Sequence, residues 1–524
     1  MRRRALTYLG LALLVVATAV TPASTQQSIM VWGDNLPSNL DPHALYDVPS
    51  SFVQLNVYDN LYRYEGNPPQ LKPWLAESYT ASKDGKTWEF KLRKGVTFAN
   101  GDPLVAEDVV YSFKRVMGMN KAAAGPFKAA KVASITAPDA QTVKFALEVP
   151  YAPFMSIIPV LTVVNKKQID PQVKGDDFGF GWLSSNSAGS GAYVVDPSTY
   201  IPQKQLDLKR NAKHFAGWSH NTKPIETVKA REIAETATRV NALIKGEVDI
   251  GDSYLPTDQV ERLQKEKGVV VQRNESMRIF VIRMNNSKPP FDNVNFRRCM
   301  SHAFNYEGFI DVILKKFAER NPAPIPKNLW GYPQGVKGYD FDLKKAQAEC
   351  DKAKAAGAPV GREIKLHFQA QLDQTKQAGQ LFQSDLKKLG LNVALITDTW
   401  PNMTTATAKP ETSPDMWIHW VSAYFIDPEN WIGTMYDSQF HGTWKASAYY
   451  KNAKVDELLR AARAVPDQKE RARMYADAAK QVVEDAADIW VYNTVELRGV
   501  RSRVKGFKFS PVGSGNELRW MSLE

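Results

Sequence analysis

The sequence predicts an α/β protein of several domains, and three observations carry that prediction. At 524 residues with 44% hydrophobic content, the chain is long enough for about two to four domains, each with its own core. Between Leu71 and Met117 the apolar period switches from two to about 3.6, as it does where strands feed a helix. Beyond that segment, short extended runs and amphipathic helical runs follow one another to the C-terminus.

Ser28 to Trp32 reads as a first short strand, followed by a loop through Leu40-Asp41-Pro42-His43 and a helix over Val53–Tyr62. Trp88, Phe90 and Leu92 alternate with Glu89, Lys91 and Arg93, which predicts a strand with one buried face, entered through an Asp84-Gly85 turn. Asn100-Gly101 makes a second turn. Ala106, Val109, Val110, Phe113, Val116 and Met117 then form one apolar helix face. Val105 stands before that helix, where a hydroxyl or carboxylate would cap it and valine cannot. Strands follow at Val132–Ile135 and Val143–Leu147, and a helix over Ala234–Gly246. Arg278–Asn285 alternates as a strand. Helices are expected near Arg297–Asn305, Ala346–Gly357 and Gln377–Leu389, the last closed by Gly390. Asp467 and Glu470 have capping-box spacing at the start of a helix running to about Ala486, and Ile489–Tyr492 reads as a strand.

Little in the chain points to catalysis. The histidines at 43, 214, 220, 302, 367, 419 and 441 include no HExxH pair, and there is no CxxC, so no metal site is expected. Gly85-Lys86-Thr87 ends like a phosphate loop, but Thr80 stands where its first glycine belongs. Gly189-Ser190-Gly191 does not satisfy GxSxG, so Ser190 reads as a turn serine, and His302 as a helix histidine. No catalytic residue and no cofactor are assigned. The net charge of +11 is dispersed, without a Lys/Arg block or a nucleic-acid motif, and no nucleic-acid partner is expected. Arg2-Arg3-Arg4, the apolar run Leu9–Val20 and two small-residue cleavage sites, Ala17-Thr18-Ala19 and Thr21-Pro22-Ala23, predict a signal peptide. No cysteine follows the apolar run, so no lipid anchor is expected. Cys299 and Cys350 both fall in helical patterns. Export permits a bridge between them, and burial as free thiols is the favoured reading.

The wording of Leu71–Ser112, from Pro73-Trp74-Leu75-Ala76-Glu77-Ser78 through Asp84-Gly85-Lys86 and Leu92-Arg93-Lys94-Gly95-Val96 to Glu107-Asp108-Val109-Val110-Tyr111-Ser112, closely resembles the hallmark of family 5 extracytoplasmic solute-binding proteins. These are the peptide, nickel and opine receptors of ABC importers. Leu40-Asp41-Pro42-His43, Gly189-Ser190-Gly191-Ala192-Tyr193 and Asp427-Pro428-Glu429-Asn430 extend the resemblance over essentially the whole mature chain, and it implies strands at Tyr193–Val195, Leu206–Arg210 and Glu247–Ile250. It implies a two-lobed periplasmic binding-protein fold of type II, in the large cluster with an additional subdomain, and a ligand cleft between the lobes. The implied boundaries are a signal peptide at 1–25, a first lobe at 26–60, 176–277 and 491–524, the additional subdomain at 61–175, and a second lobe at 278–490. The implied partners are a small-molecule or peptide ligand and an inner-membrane ABC permease with its ATPase subunits. The protein is then a periplasmic monomer that closes about a hinge.

In peptide-binding relatives, an aspartate three residues before the acidic-Pro pair accepts the ligand's ammonium. Tyr424 stands there, and the matching cation position for a carboxylate falls near Gln369. With both charges missing, the sequence argues against a simple dipeptide and for an oligopeptide bound through its backbone, an oligosaccharide or an opine-like conjugate. Aromatic faces suit such ligands. The candidate ligand-binding residues are Trp32, Tyr46, Gln369, Trp400, Trp420, Tyr424, Asp427, Asn430 and His441, with Asp427 favoured as a loop-holding group. A peptide-holding chaperone and a secreted hydrolase are the alternatives.

Overall fold

Apolar periodicity sorts the chain into three main sheets. The computed structural model describes residues 29–251, 255–369, 372–513 and 516–524; the expected signal segment and its cleavage sites lie outside them. The first sheet has the order Ile29–Gly33, Thr227–Arg231, Gln205–Arg210, Tyr193–Ile201, its first pair parallel and the others antiparallel. Helix Val48–Val57 packs Phe52, Val53 and Val57 into its core beside Trp32. The second sheet has six strands in the order Ala318–Arg320, Asp488–Arg501, Val269–Met284, Met416–Val421, Ile364–Gln369, Val393–Asp398. Its last three strands run parallel to one another. The third is an antiparallel sheet of Ala76–Ala81, Thr87–Leu92, Thr142–Leu147 and Val132–Asp139. Helix Ala106–Met119 buries Val109, Val110, Phe113 and Val116 in the core it shares with that sheet.

Two strands tie the first two sheets together. Val269–Met284 and Asp488–Arg501 pair antiparallel over almost their whole length, and the ladder shifts register between Glu275 and Ile279. A bulge of this kind bends the pair locally. On one side of it the strands belong to the six-stranded sheet. On the other, Val500 bridges Ile250, which in turn bridges Trp32 of the first sheet.

Local chemistry moved some boundaries. The helix expected over Val53–Tyr62 runs instead over Val48–Val57, because Asp47 accepts from the Ser50 N–H at 3.0 Å and Pro49 sits in the first turn. Tyr58 is extended, and Asp59-Asn60 pair with Thr162-Val163. Glu247–Ile250 is not a strand; only Ile250 makes sheet bridges. Val105 leaves its helix without a side-chain cap, and Asp108 reaches back to accept from the Val105 N–H at 3.0 Å, half of a capping box. Ser190 is a turn serine. A Cβ on Gly189 or Gly191 would collide with the Val57 backbone, so the glycines let this turn press against the end of the helix.

The thiols are not free. Cys299, on helix Val294–Ala303, is bonded to Cys350, on helix Leu343–Ala355, with Cα atoms 5.3 Å apart. Helical placement hid this, because neither helix pattern says which residue the other faces. The bridge spans 51 residues of sequence, a loop whose closure entropy is worth about 4 kcal/mol. Urea unfolding with and without reductant should show a loss of that order; equal midpoints would mean that the bridge adds no stability.

The Ser190 hydroxyl donates to Asp59 Oδ2 at 2.7 Å, the Trp74 indole N–H to Oδ1 at 2.6 Å, and His214 Nε2 lies 3.5 Å from Oδ1. Burial pushes the Asp59 carboxyl up, but the His214 imidazole and these donors outweigh it and hold it at about 2. A carboxyl depressed below its unfolded value stabilises the fold above about pH 4, and that stability is lost as pH falls through about 2. The expected contribution is about 2 kcal/mol. Asp59→Asn should therefore flatten the fall in unfolding free energy between these pH values relative to the parent, measured by denaturant titration at each pH.

Candidate functional site

A cavity of about 500 Å³ lies between the first and second sheets. Its position follows from strand direction. In open α/β sheets the carboxyl ends of parallel strands leave room for ligands, and both sheets turn such ends towards it. From the first sheet come Leu36 and Ser38 after strand Ile29–Gly33, Asp47 at the start of helix Val48–Val57, and Glu232 after strand Thr227–Arg231. From the second come Gln369, Thr399 and Trp400, and Trp420, Ser422 and Tyr424, each at or just after the end of one of the three parallel strands. A second cavity of about 480 Å³, lined by Tyr46, Tyr64, Arg63 and Glu517 among others, abuts the first at Tyr424.

The two walls touch at several points. The rings of Tyr46 and Tyr424 are 4.4 Å apart, the Trp400 side chain hydrogen-bonds to Asp47, and the Tyr64 hydroxyl accepts from the Ile426 N–H at 3.1 Å. Trp400 leans on Trp444 at 5.2 Å and Trp417 at 5.9 Å, which makes one side of the cleft a rigid aromatic face.

The charges of the lining are one-sided. Among the described residues, Asp47, Glu232 and Glu235 line it and no Lys or Arg does. Burial pushes the Asp47 carboxyl up, against bonds from the Ser50 N–H and hydroxyl and from Trp400. Burial likewise raises Glu232, whose Oε2 accepts from the Leu36 N–H at 3.0 Å. Acid is therefore available to an ammonium after all, from the lobe opposite Tyr424. Tyr424 in the place of an aspartate therefore does not by itself disfavour a zwitterionic ligand, because the other wall supplies carboxylates.

Of the residues expected at the ligand, Gln369, Trp400, Trp420 and Tyr424 line the interlobe cavity, and Tyr46 lines the adjoining one. The structure puts the others elsewhere. Trp32 is 1% exposed, packed 4.9 Å from Phe52 in the first core; it lies near the end of strand Ile29–Gly33, with its side chain on the core face. Asp427 is held by Arg471 at 2.7 and 2.8 Å and caps the next turn through the Glu429 N–H. Asn430 is buried, its Nδ2 donating to the Ser422 carbonyl at 2.9 Å. His441 donates from Nε2 to the Tyr450 carbonyl at 2.9 Å and lines neither cavity. Sequence reasoning missed Asp47 and Glu232 in this lining. Asp47 carried a signal, an acidic residue just ahead of a Pro-bearing helix start.

A family model, "Bacterial extracellular solute-binding proteins, family 5 Middle", matches residues 70–442. The chain belongs to this family. It is 32% identical over 508 residues, 95% of each chain, to the probable D,D-dipeptide-binding periplasmic protein DdpA of Escherichia coli K12. It is 24% identical over 536 residues, 96% of each chain, to that organism's dipeptide-binding protein. The periplasmic binding protein DppA of Helicobacter pylori, solved with the peptide STSA, superposes with a TM-score of 0.86 at 26% identity, covering 95% of this chain and 98% of that one. The family 5 assignment carries with it the two-lobed type II fold and a substrate-binding role. Among the described residues, no helix is long and apolar enough to cross a membrane.

In this family 5 protein the polar network behind the cleft is structural. Arg471 holds Asp427, and Arg463 holds Glu429 at 2.9 Å together with Asp437. Removing one partner of a buried pair strands the other. Arg471→Met is expected to cost about 3–5 kcal/mol of unfolding free energy, seen as a lower denaturation midpoint; an unchanged midpoint would show that Asp427 has another way to be satisfied.

Proposed function

We propose that this chain is the exported, periplasmic receptor of an ABC importer, and that it captures a small peptide-like or amino-acid-conjugate solute in the interlobe cavity for delivery to a permease. The observation that carries the reading is the cleft itself: about 500 Å³ of space, within the range of roughly 300–1,000 Å³ common for small-molecule sites, with a tryptophan face on one wall and carboxylates on the other. Trp400 and Tyr424 supply flat apolar contact, and Glu232 with Asp47 supplies the acceptors an amine needs. Relatives whose names and titles include a D,D-dipeptide, a dipeptide and the peptide STSA support a peptide-like ligand. We assign the hinge to the bulge at Glu275–Ile279, beside the boundaries at 277/278 and 490/491, so that lobe closure and ligand contact are one event.

Mature protein, unfolded and refolded to strip carried ligand, should be tested by thermal shift against di- to pentapeptides, oligosaccharides, opines, glutathione and nickel chelates. A solute at about 100 times its dissociation constant adds roughly 2.7 kcal/mol. Solutes with a free amine are expected to raise the midpoint and to be recovered unchanged. A response to oligosaccharides alone would refute the peptide-like reading, weak binding of many unfolded segments would favour a chaperone, and turnover a hydrolase. Trp400→Ala should weaken the winning ligand by tenfold or more with little change in the unliganded midpoint.

A further inference from the structure

Lys445 is a buried cation without a matching anion. It is 7% exposed. Among the described residues, its ammonium makes a single hydrogen bond, a long one of 3.4 Å to Asn430 Oδ1, and no ion pair. The acid nearest in effect, Glu429, is committed to Arg463 and to the Tyr475 hydroxyl. An ammonium has three protons to place, and leaving them unmatched away from water is costly. The rest of its surroundings are rings: Nζ lies 4.7 Å from the centroid of Tyr46 and 4.8 Å from that of Tyr424. Ring faces attract a cation but do not replace a carboxylate.

Those two rings come from opposite sides of the cleft. Tyr46 precedes the helix that packs on the first sheet, whereas Tyr424 and Lys445 hang from the second, where Arg283 donates to the Lys445 carbonyl at 3.1 Å. Tyr424 also lines the interlobe cavity. Lys445 itself lines neither cavity; the Tyr46 ring from the first side covers its ammonium close to Tyr424, where the two cavities meet.

We propose that Lys445 is the ligand's anion-binding residue, receiving a carboxylate or an equivalent anionic oxygen at the Tyr46–Tyr424 end of the cleft, while the carboxylates of the first lobe face its amine. The solute is then a zwitterion of amino-acid or peptide type. This rests on the cleft being the solute site, and it supplies the cation that the interlobe lining lacks. The burial that pushes the Lys445 ammonium down to about 7 is what a bound anion would offset.

The test is isothermal titration of the stripped protein with alanyl-alanine in its L,L and D,D forms, each as free acid and as C-terminal amide, using the parent, Lys445→Met and Lys445→Arg. The parent should bind a free acid at least tenfold more tightly than its amide. Lys445→Met should erase that preference, and Lys445→Arg should keep part of it. Unliganded Lys445→Met should melt no lower than the parent, since it removes a buried charge rather than a paired one. An acid-to-amide ratio that is unchanged in Lys445→Met, or an amide that binds as well as its acid, overturns the assignment. If the dipeptides fail and another solute of the panel binds, its acid and amide or ester take their place, and a best ligand without an anionic group overturns the assignment while the receptor reading stands. If no solute binds at all, the receptor reading falls and takes this one with it.

Discussion

The antiparallel pair of Val269–Met284 with Asp488–Arg501 is the constraint on which the cleft depends. Each strand runs through the six-stranded sheet and on to the neighbourhood of the first, so the two halves of the molecule share backbone as well as surface. Hydrogen-bonded ladders are stiff along their length. A register shift in the middle of this one is therefore where bending is cheapest. The Ser276 hydroxyl donates to the Thr494 carbonyl at 2.8 Å inside the shifted stretch, which keeps the interrupted backbone satisfied. The sheets on either side of this tie are each packed on a core of their own. Parallel strand ends on both sides then meet across one gap.

What fills the second lobe behind that gap is charge, neutralised with care. Arg283 meets Asp488 at 2.6 Å and the Tyr436 hydroxyl at 3.2 Å, and Arg471 and Arg463 hold Asp427, Glu429 and Asp437. Buried pairs of this kind add little net stability over apolar packing, but they fix geometry because breaking one is expensive. Here they hold the loop after strand Met416–Val421, and so the place of Tyr424. Set against these matched groups, Lys445 has no ion pair among the described residues. Its environment would suit an apolar side chain at least as well, and a group kept at a loss to stability beside a cleft points to function rather than to packing.

Much of the architecture was legible in the chain. The alternation of Trp88, Phe90 and Leu92, the helix face from Ala106 to Met117 and the positive-φ glycines at Gly85 and Gly390 are set by contacts within a few residues, and they appear where expected. The helix start at Asp467 was legible from its cap and the one at Asp47 was not, whereas helix Ala106–Met119 begins where its apolar face does, without a side-chain cap. Trp32 shows the limit of reading a side chain from its strand. A strand end can sit at the cleft while its indole points the other way.

By itself, then, the sequence determined the elements, the family and the identity of the aromatic strip around Trp400, Trp420 and Tyr424. All of these depend on local period or on a contiguous run of residues. Only the tertiary structure decided the electrostatics. Glu232 and Asp47 reach one wall from positions far apart in the chain, Cys299 finds Cys350 across two helices, and Lys445 is enclosed by a tyrosine from the opposite lobe. Burial and charge pairing are properties of neighbours in space, and sheet order rather than sequence spacing chose those neighbours.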